Sequence, residues 1–153
     1  MLPTVPPPFP KWSCAPATVY VSPAAPKSVT DAVNEWLSLF RPDWHLTTSL
    51  TAATVDIYMR HPKNPAAAGL TTIYGTATEI LHADVELDPK DPDMPLTVRH
   101  ELGHVAGLEH NSDRSSAMSP TPSPSTRRHY GARDIIALLT LRNRCLKETP
   151  NAY

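Results

Sequence analysis

Alternating apolar and polar positions predict four β-strands in the first ninety residues. The segments 18–22, 45–49, 54–60 and 79–88 are short, rich in strand-forming residues and bounded by turn residues. In the fourth segment Leu81, Ala83, Val85 and Leu87 fall on one face, and His82, Asp84 and Glu86 fall on the other. The period of two therefore predicts a small sheet whose last strand buries one face and presents polar side chains on the other.

A period of 3.6 predicts three helices. Residues 28–40 place their apolar side chains on one stripe, which predicts a helix that ends before Arg41-Pro42. Asp93 and Pro95 predict the start of a second, central helix. Residues 131–146 repeat the helical pattern and predict a closing helix.

The rest of the chain adds little regular structure. Residues 111–129 hold few apolar side chains and predict a long irregular segment, and eight of the 18 prolines lie within residues 1–26. We therefore predict an α+β fold, a small twisted mixed sheet with a central helix, a backing helix and a C-terminal helix. A single domain over residues 18–149 is expected to follow a proline-rich N-terminal segment, residues 1–17.

Charge and hydropathy narrow the classes of partner. The formal net charge of −1 gives no electrostatic reason to expect nucleic acid. No apolar run approaches the roughly 20 residues of a membrane helix, so we expect no membrane insertion. Residues 1–12 lack the apolar stretch of a signal peptide, and none is predicted. We expect a monomer whose partner is a protein or peptide substrate.

The two cysteines lie near opposite ends of the expected domain. A disulfide between Cys14 and Cys145 would close a long loop and contribute on the order of 4 kcal/mol in the chain-entropy model. Two free thiols in a reducing compartment are the alternative. The positions of the two cysteines do not distinguish the disulfide from two free thiols.

The stretch RHELGHVAGLEH, residues 99–110, contains the candidate metal-binding and catalytic residues. On a helix, His100 and His104 lie about 40° apart around the axis and one turn apart along it, so both imidazoles can meet one ion. Glu101 lies beside them, too far round to be a ligand but close enough to contact a water molecule on that ion. The apolar residues Val98, Leu102 and Val105 form the opposite, core-facing stripe.

His110 reaches the same point only if the chain leaves the helix and turns back. Gly107 stands where a residue able to adopt a positive φ is needed for that turn. Three neutral imidazoles suit zinc and leave a fourth position for water, the arrangement of a catalytic site. Zinc lowers the pKa of its water toward ~7, and Glu101 can then take the proton as general base.

The segment HELGHVAGLEH resembles the HExxHxxGxxH signature of the metzincin zinc endopeptidases, and the sequence is most similar to their matrixin-like branch. The resemblance implies one catalytic zinc ion held by His100, His104 and His110, with Glu101 as general base. It also implies a methionine turn at Met118, in SSAMSP, as the floor of the site. An extracellular location is favoured by the same resemblance.

The resemblance further implies that the strand after residue 69 lies above the cleft. Substrate would then lie extended beside residues 80–86, with Ile80, Leu81, His82, Ala83 and Asp84 as its contacts. The sequence departs from the matrixin pattern at Asn111, which replaces a usual serine, and at Pro120-Thr121-Pro122, which lacks the usual pocket tyrosine. The side-chain preference of the cleft is therefore left open.

Three functions follow from these residues. The leading one is a zinc-dependent endopeptidase that cleaves peptide bonds through a metal-activated water. The alternatives are a catalytically silent zinc-containing module that binds peptides, and a zinc amidase acting on cell-wall peptides. Ca²⁺ binding by the acidic residues between 84 and 93 is possible but not favoured, because an ordinary acidic rim explains them as well. His82 is interpreted as a solvated strand histidine rather than a ligand of a second metal.

Overall fold

A computed structural model of the chain describes residues 10–121 and 129–148, without the side chains of Ala52 and of residues 145–148. The strands are β1 (Lys11–Trp12), β2 (Thr18–Val21), β3 (His45–Thr47), β4 (Val55–Met59), β5 (Gly69–Gly75) and β6 (Glu79–Leu87). The helices are α1 (Lys27–Phe40), α2 (Met94–Ala106) and α3 (Ala132–Glu148), and Leu50–Ala52 form a short 3-10 turn. In these ranges no helix is long and apolar enough to cross a membrane.

The six strands form one mixed sheet. β3, β2, β4 and β6 pair in parallel in that order, and β1 pairs in parallel with the start of β6. β5 pairs antiparallel with β6 along most of its length. Because β4 and β1 occupy one edge of β6, β5 must occupy the other, and it ends the sheet on that side. Among the described residues β5 pairs with no other strand, so its outer edge is free.

The expected α+β architecture is confirmed. Each predicted strand and helix is present, and the ends of each strand lie within two residues of the predicted ones. The sequence did not predict β1. Residues 69–88 were expected to lie above the cleft, without a division into β5 and β6. The expectation that substrate lies extended beside residues 80–86 is wrong, because β6 has no free edge there: it is paired with β4 on one side and with β5 on the other.

The core lies between the sheet and helices α1 and α2. The apolar stripe of α1 is buried as predicted, since Val29, Val33 and Trp36 have no exposed surface. Trp36 packs against Phe40 and Trp44, with ring centroids 5.3 and 6.0 Å away. Burial of large side chains of this kind contributes about 1.5–3 kcal/mol each. This cluster fixes α1 as the backing helix behind α2.

The N-terminal segment is attached to the domain from residue 11 onward. The Trp12 indole is buried and donates a hydrogen bond to the carbonyl of Val105 at the end of α2 (2.7 Å). The buried Arg41 guanidinium donates to the carbonyls of Ser13 (2.8 Å) and Cys14 (3.0 Å). Cys14 is disulfide-bonded. Of the two alternatives left open by the sequence, this favours the disulfide, but the side chain of Cys145 lies outside the described residues.

Candidate metal centre and active site

Helix α2 begins and ends where the sequence predicts. Asp93 is its N-cap residue, Pro95 lies in the first turn, and the helix ends at Ala106. Gly107 follows in the left-handed region with φ of 104°, and its N–H donates to the carbonyls of Gly103 and His104. Glycine adopts this conformation without the steric cost that a side chain adds. The turn at Gly107 therefore sends residues 108–110 back toward the helix.

The three histidines converge on one point. The Nε2 atom of His100 lies 3.0 Å from that of His110 and 3.2 Å from that of His104. His104 and His110 are 3.2 Å apart between the same atoms. Three side chains that are separated by four and six positions in the sequence thus present three ring nitrogens to a single site.

In His100 and His104 the other ring nitrogen is directed by a backbone carbonyl. His100 Nδ1 lies 2.6 Å from the carbonyl oxygen of Ala117, and His104 Nδ1 lies 2.8 Å from that of Leu108. A carbonyl only accepts, so in both rings Nδ1 bears the proton and Nε2 presents its lone pair. Burial lowers the pKa of His100, which further favours the neutral ring. His100 and His104 are thus prepared as neutral metal ligands.

This donor set fits zinc. Three nitrogens on a tetrahedral zinc ion, each about 2.0–2.1 Å from the metal, lie about 3.3 Å apart. The observed separations of 3.0–3.2 Å are close to that value. Lone pairs at this distance repel one another unless a proton or a cation lies between them. The cluster therefore has both the ligand type and the spacing of a three-histidine zinc site.

Glu101 is buried beside the cluster. Its side chain is only 6% exposed, and its Oε2 accepts a hydrogen bond from the Thr71 hydroxyl at 2.6 Å. Burial raises the pKa of Glu101, while the Thr71 hydrogen bond and the nearby His104 and His110 act in the opposite direction. A carboxylate with a raised pKa, next to a metal site, is suited to taking up a proton.

The loop that follows His110 packs against α2 and contacts the histidine cluster. Met118 is 1% exposed and packs against Gly103, where a Cβ atom would overlap its sulfur. The buried carboxylate of Asp134, in the first turn of α3, accepts hydrogen bonds from the Ser116 hydroxyl and the Ala117 N–H. Because the Ala117 carbonyl also contacts His100, α3 is linked through this loop to a histidine of the cluster.

Comparison with known proteins identifies the family. Residues 40–138 match the family model of Peptidase M10, described as Matrixin, which is well over half of the chain. The chain belongs to the matrixin family. The match supports a zinc metallopeptidase, and the six-stranded sheet with three helices is a matrixin-like α+β fold. No curated protein matched the chain.

Two cavities flank the centre of this matrixin domain. One, of about 480 Å³, lies along β5 and is lined by Leu70, Ile73, His104 and Leu108 as well as by Glu101. The other, of about 440 Å³, lies toward the start of α2 and is lined by Asp91, Leu96, Thr97, Ser119 and Pro120. Both share Gly69, His100, Glu101 and His110. An extended chain passing Glu101 would therefore find space on both sides of it.

The expected substrate residues lie elsewhere. Ile80 and Ala83 are buried in the core and cannot contact a ligand without rearrangement. His82 and Asp84 point to the opposite face of the sheet, where the His82 Nε2 lies 3.0 Å from an Asp84 oxygen and 3.3 Å from an Asp56 oxygen. Leu81 is 55% exposed but lines neither cavity. The strand that faces the matrixin cleft is β5.

Sequence reasoning missed Gly69 and Thr71 on β5. Both face α2, since Thr71 contacts Glu101 and a Cβ at Gly69 would lie 2.8 Å from Glu101 Cγ. The available signal was the segment GLTTIYG, which has strand composition and precedes β6 by a short turn. This segment predicts a strand at the position of β5. A glycine or a threonine in a strand, however, does not indicate contact with a glutamate 30 or more positions away.

Proposed function

We propose that this matrixin domain is a zinc-dependent endopeptidase with Glu101 as its general base. The observation that supports this most directly is the convergence of three histidine Nε2 atoms within 3.2 Å, beside a buried carboxylate. A purely structural zinc site has four protein ligands and needs no base beside it. Three ligands and a glutamate suit hydrolysis.

His100, His104 and His110 would hold the zinc ion. When bound, zinc polarises a carbonyl group and lowers the pKa of water, so that water can attack near neutral pH. Met118, buried under Gly103, would form the floor that keeps the loop and the helix at a fixed distance. The protein's further tasks are to orient the peptide and to move protons.

Glu101 performs the proton transfer in this proposal. Its carboxylate removes a proton from the attacking water as the new C–O bond forms. The same proton then passes to the nitrogen of the leaving amine as the C–N bond breaks. No covalent bond to the protein is made at any stage. Burial raises the pKa of Glu101, which makes its conjugate acid a ready donor in the second step.

The peptide substrate is proposed to bind as an added strand along β5. The free edge of β5 presents backbone groups that an extended peptide can pair with, and pairing of this kind needs no particular side chain. The two cavities beside Glu101 would receive side chains on either side of the bond to be cleaved. This placement on β5 replaces the expected contacts with residues 80–84.

The test is cleavage of casein by the purified protein with one equivalent of zinc. Glu101→Gln should retain zinc and lose activity by about 10²- to 10⁴-fold, because the amide cannot take up a proton. Glu109→Gln is the matched control, since Glu109 is exposed and lines neither cavity. Wild-type activity in Glu101→Gln would contradict the assigned role.

The same preparation separates the alternatives. One bound equivalent of zinc without cleavage of casein or of other unfolded proteins would favour the peptide-binding module. Release of peptides from peptidoglycan fragments alone would favour the amidase. Absence of zinc binding would overturn the metal site itself.

A further inference from the structure

Strand β5 approaches α2 unusually closely at Glu101. A Cβ at Gly69 would lie 2.7 Å from Thr97 Cγ2, 2.8 Å from Glu101 Cγ and 3.0 Å from Glu101 Oε1. The absence of a side chain at Gly69 is what allows the strand backbone to lie against the glutamate. Thr71, the next residue of β5 that faces α2, then has its hydroxyl beside the Glu101 carboxylate.

The Thr71 hydroxyl favours the carboxylate as its acceptor. Its Oγ1 lies 2.6 Å from Glu101 Oε2 and 3.1 Å from the Glu101 backbone carbonyl. The hydroxyl has one proton, and a charged oxygen at the shorter distance is the stronger acceptor. Threonine is β-branched and sits in a paired strand, so the position of Oγ1 is restricted before any substrate binds.

Within the described part of the chain, the hydrogen bonds to the Glu101 carboxylate come from Thr71, and the one from the hydroxyl, at 2.6 Å, is the one that a substitution can remove. Thr71 also approaches the carboxylate through its backbone N–H, and Oε1 lies beside Gly69. A glutamate side chain without such a contact rotates freely about its last torsion angles, which exchanges and redirects its two oxygens. With Oε2 held by Thr71, Oε1 is left to take the proton.

We propose that Thr71 is a positioning residue for the general base, and that it fixes one Glu101 oxygen so that the other meets the attacking water. This inference rests on the proposed function. Thr71 transfers no proton itself: its hydroxyl proton stays on Oγ1 throughout. Since Thr71 belongs to β5, the strand proposed to pair with substrate is also the strand that orients the base.

The decisive variant is Thr71→Val, which replaces the hydroxyl by a methyl group and keeps the β-branch. We expect kcat to fall by about 10- to 100-fold, the value of a hydrogen bond to a charged group, with KM within about twofold. Thr71→Ser should restore most of kcat because it restores the hydroxyl. The dissociation constant for zinc, measured by chelator competition, should be unchanged.

Thr47→Val is the matched control. Thr47 is a strand threonine of β3, which pairs with β2 at the far end of the sheet, and it lines neither cavity. Its kcat should equal that of the wild type. A wild-type kcat in Thr71→Val would overturn the proposal, and so would a Thr71→Ser variant as slow as Thr71→Val, since the hydroxyl would then be irrelevant.

A double-mutant cycle tests the contact without activity. Thr71→Val, Glu101→Ala and their combination are compared by urea unfolding of the zinc-free protein. We expect a coupling of about 5- to 10-fold in the unfolding equilibrium constant. If the wild type cleaves nothing but the coupling is present, the proposed function fails and the Thr71–Glu101 contact stands. Additive effects would overturn the contact.

Discussion

Among the described residues, each side of the sheet has three side chains that could hold a metal ion, and the two sets differ in the protons that their nitrogen and oxygen atoms contact. The inner set, on the helix side, is His100, His104 and His110. The outer set, on the other side, is Asp56, His82 and Asp84. In both sets the candidate ligand atoms lie within 4.8 Å of one another. Proximity alone therefore does not distinguish them.

Most of the outer set is paired through its own protons. His82 Nε2 lies 3.0 Å from Asp84 and 3.3 Å from Asp56, so an imidazole proton serves two carboxylates. The hydroxyls of Tyr58 and Tyr74 donate to Asp56 and Asp84, both at 3.3 Å. Three of the four carboxylate oxygens thus have a proton donor without a metal ion, and the fourth, the buried Asp56 Oδ1, has none among the described residues.

The inner set presents at least two acceptors at its centre. The Nδ1 protons of His100 and His104 are engaged by backbone carbonyls, which leaves the Nε2 lone pairs facing one another. No carboxylate hydrogen bond to these nitrogens occurs among the described residues. The difference shows that a metal site depends on where the protons are held, as well as on which residues meet.

The largest effect that tests this contrast is on zinc affinity. His100→Ala removes one of three ligands and should weaken zinc binding on the order of 100-fold or more, since even loss of a supporting contact costs 10- to 100-fold. His82→Ala should leave one equivalent of zinc bound with unchanged affinity. Chelator competition with both variants provides the measurement. Loss of a zinc equivalent in His82→Ala would remove the distinction between the two sets.

The next effect is the stability that zinc adds. At a free zinc concentration 1,000 times its Kd, binding to the folded state alone contributes about 4 kcal/mol. Thermal unfolding should therefore shift downward on chelation in the wild type and in His82→Ala. His100→Ala should show little shift. An equal shift in all three proteins would mean that the stabilising zinc is bound somewhere else.

The sequence predicts the inner set well because its signal is local. His100 and His104 lie one turn apart on a helix, and Gly107 marks the turn that returns His110 to them. All three residues fall within eleven positions. Helical geometry and the conformational freedom of glycine therefore determine their convergence without knowledge of the rest of the fold.

Contacts between distant segments are much harder to predict. The hydrogen bond from Thr71 spans 30 positions, and the carbonyl that directs His100 belongs to Ala117. Such contacts depend on the order of strands in the sheet. The pattern of residues 79–88 predicts a strand correctly but does not say which edge is free. Only the pairing of β5 with β6 decides that.

A smaller effect is expected from the support beneath the inner set. Asp134 accepts hydrogen bonds from the Ser116 hydroxyl and the Ala117 N–H, and an asparagine offers one acceptor oxygen in place of two. Asp134→Asn should lower the free energy of unfolding by about 1.5–3 kcal/mol. Because Ala117 contacts His100, zinc affinity should fall as well.

Urea unfolding and chelator competition on Asp134→Asn provide the two measurements. Asp31→Asn is a suitable control, since Asp31 is an exposed carboxylate of α1 whose partner is the exposed Lys27. Reduced stability with full zinc affinity would show that the inner set does not depend on its backbone anchors.

The smallest effect is in the pH dependence of stability, which should have opposite signs for the half-buried Glu35 and the buried Asp56. Burial by itself raises the pKa of Glu35, but hydrogen bonds from Arg99 and from the Tyr130 N–H outweigh it, so its pKa lies below the ordinary 4.5. The stabilisation by Glu35 is therefore complete above pH 4.5 and lost as pH falls toward the lowered value. Glu35→Gln should be less stable than wild type by about 1–2 kcal/mol at neutral pH, and this deficit should narrow in acid.

Asp56 in the outer set behaves in the other direction. Burial raises its pKa above the ordinary 3.8 despite the opposing effect of His82, so wild-type stability declines as pH rises through the interval between the two values. Relative to wild type, Asp56→Asn should therefore gain stability across that interval, while Glu35→Gln loses it. Urea unfolding of the zinc-free proteins between pH 3 and 7 measures both. Parallel curves for the two variants would mean that His82 offsets the burial of Asp56 as fully as Arg99 offsets that of Glu35. The outer set would then be a salt bridge like the one between Glu35 of α1 and Arg99 of α2.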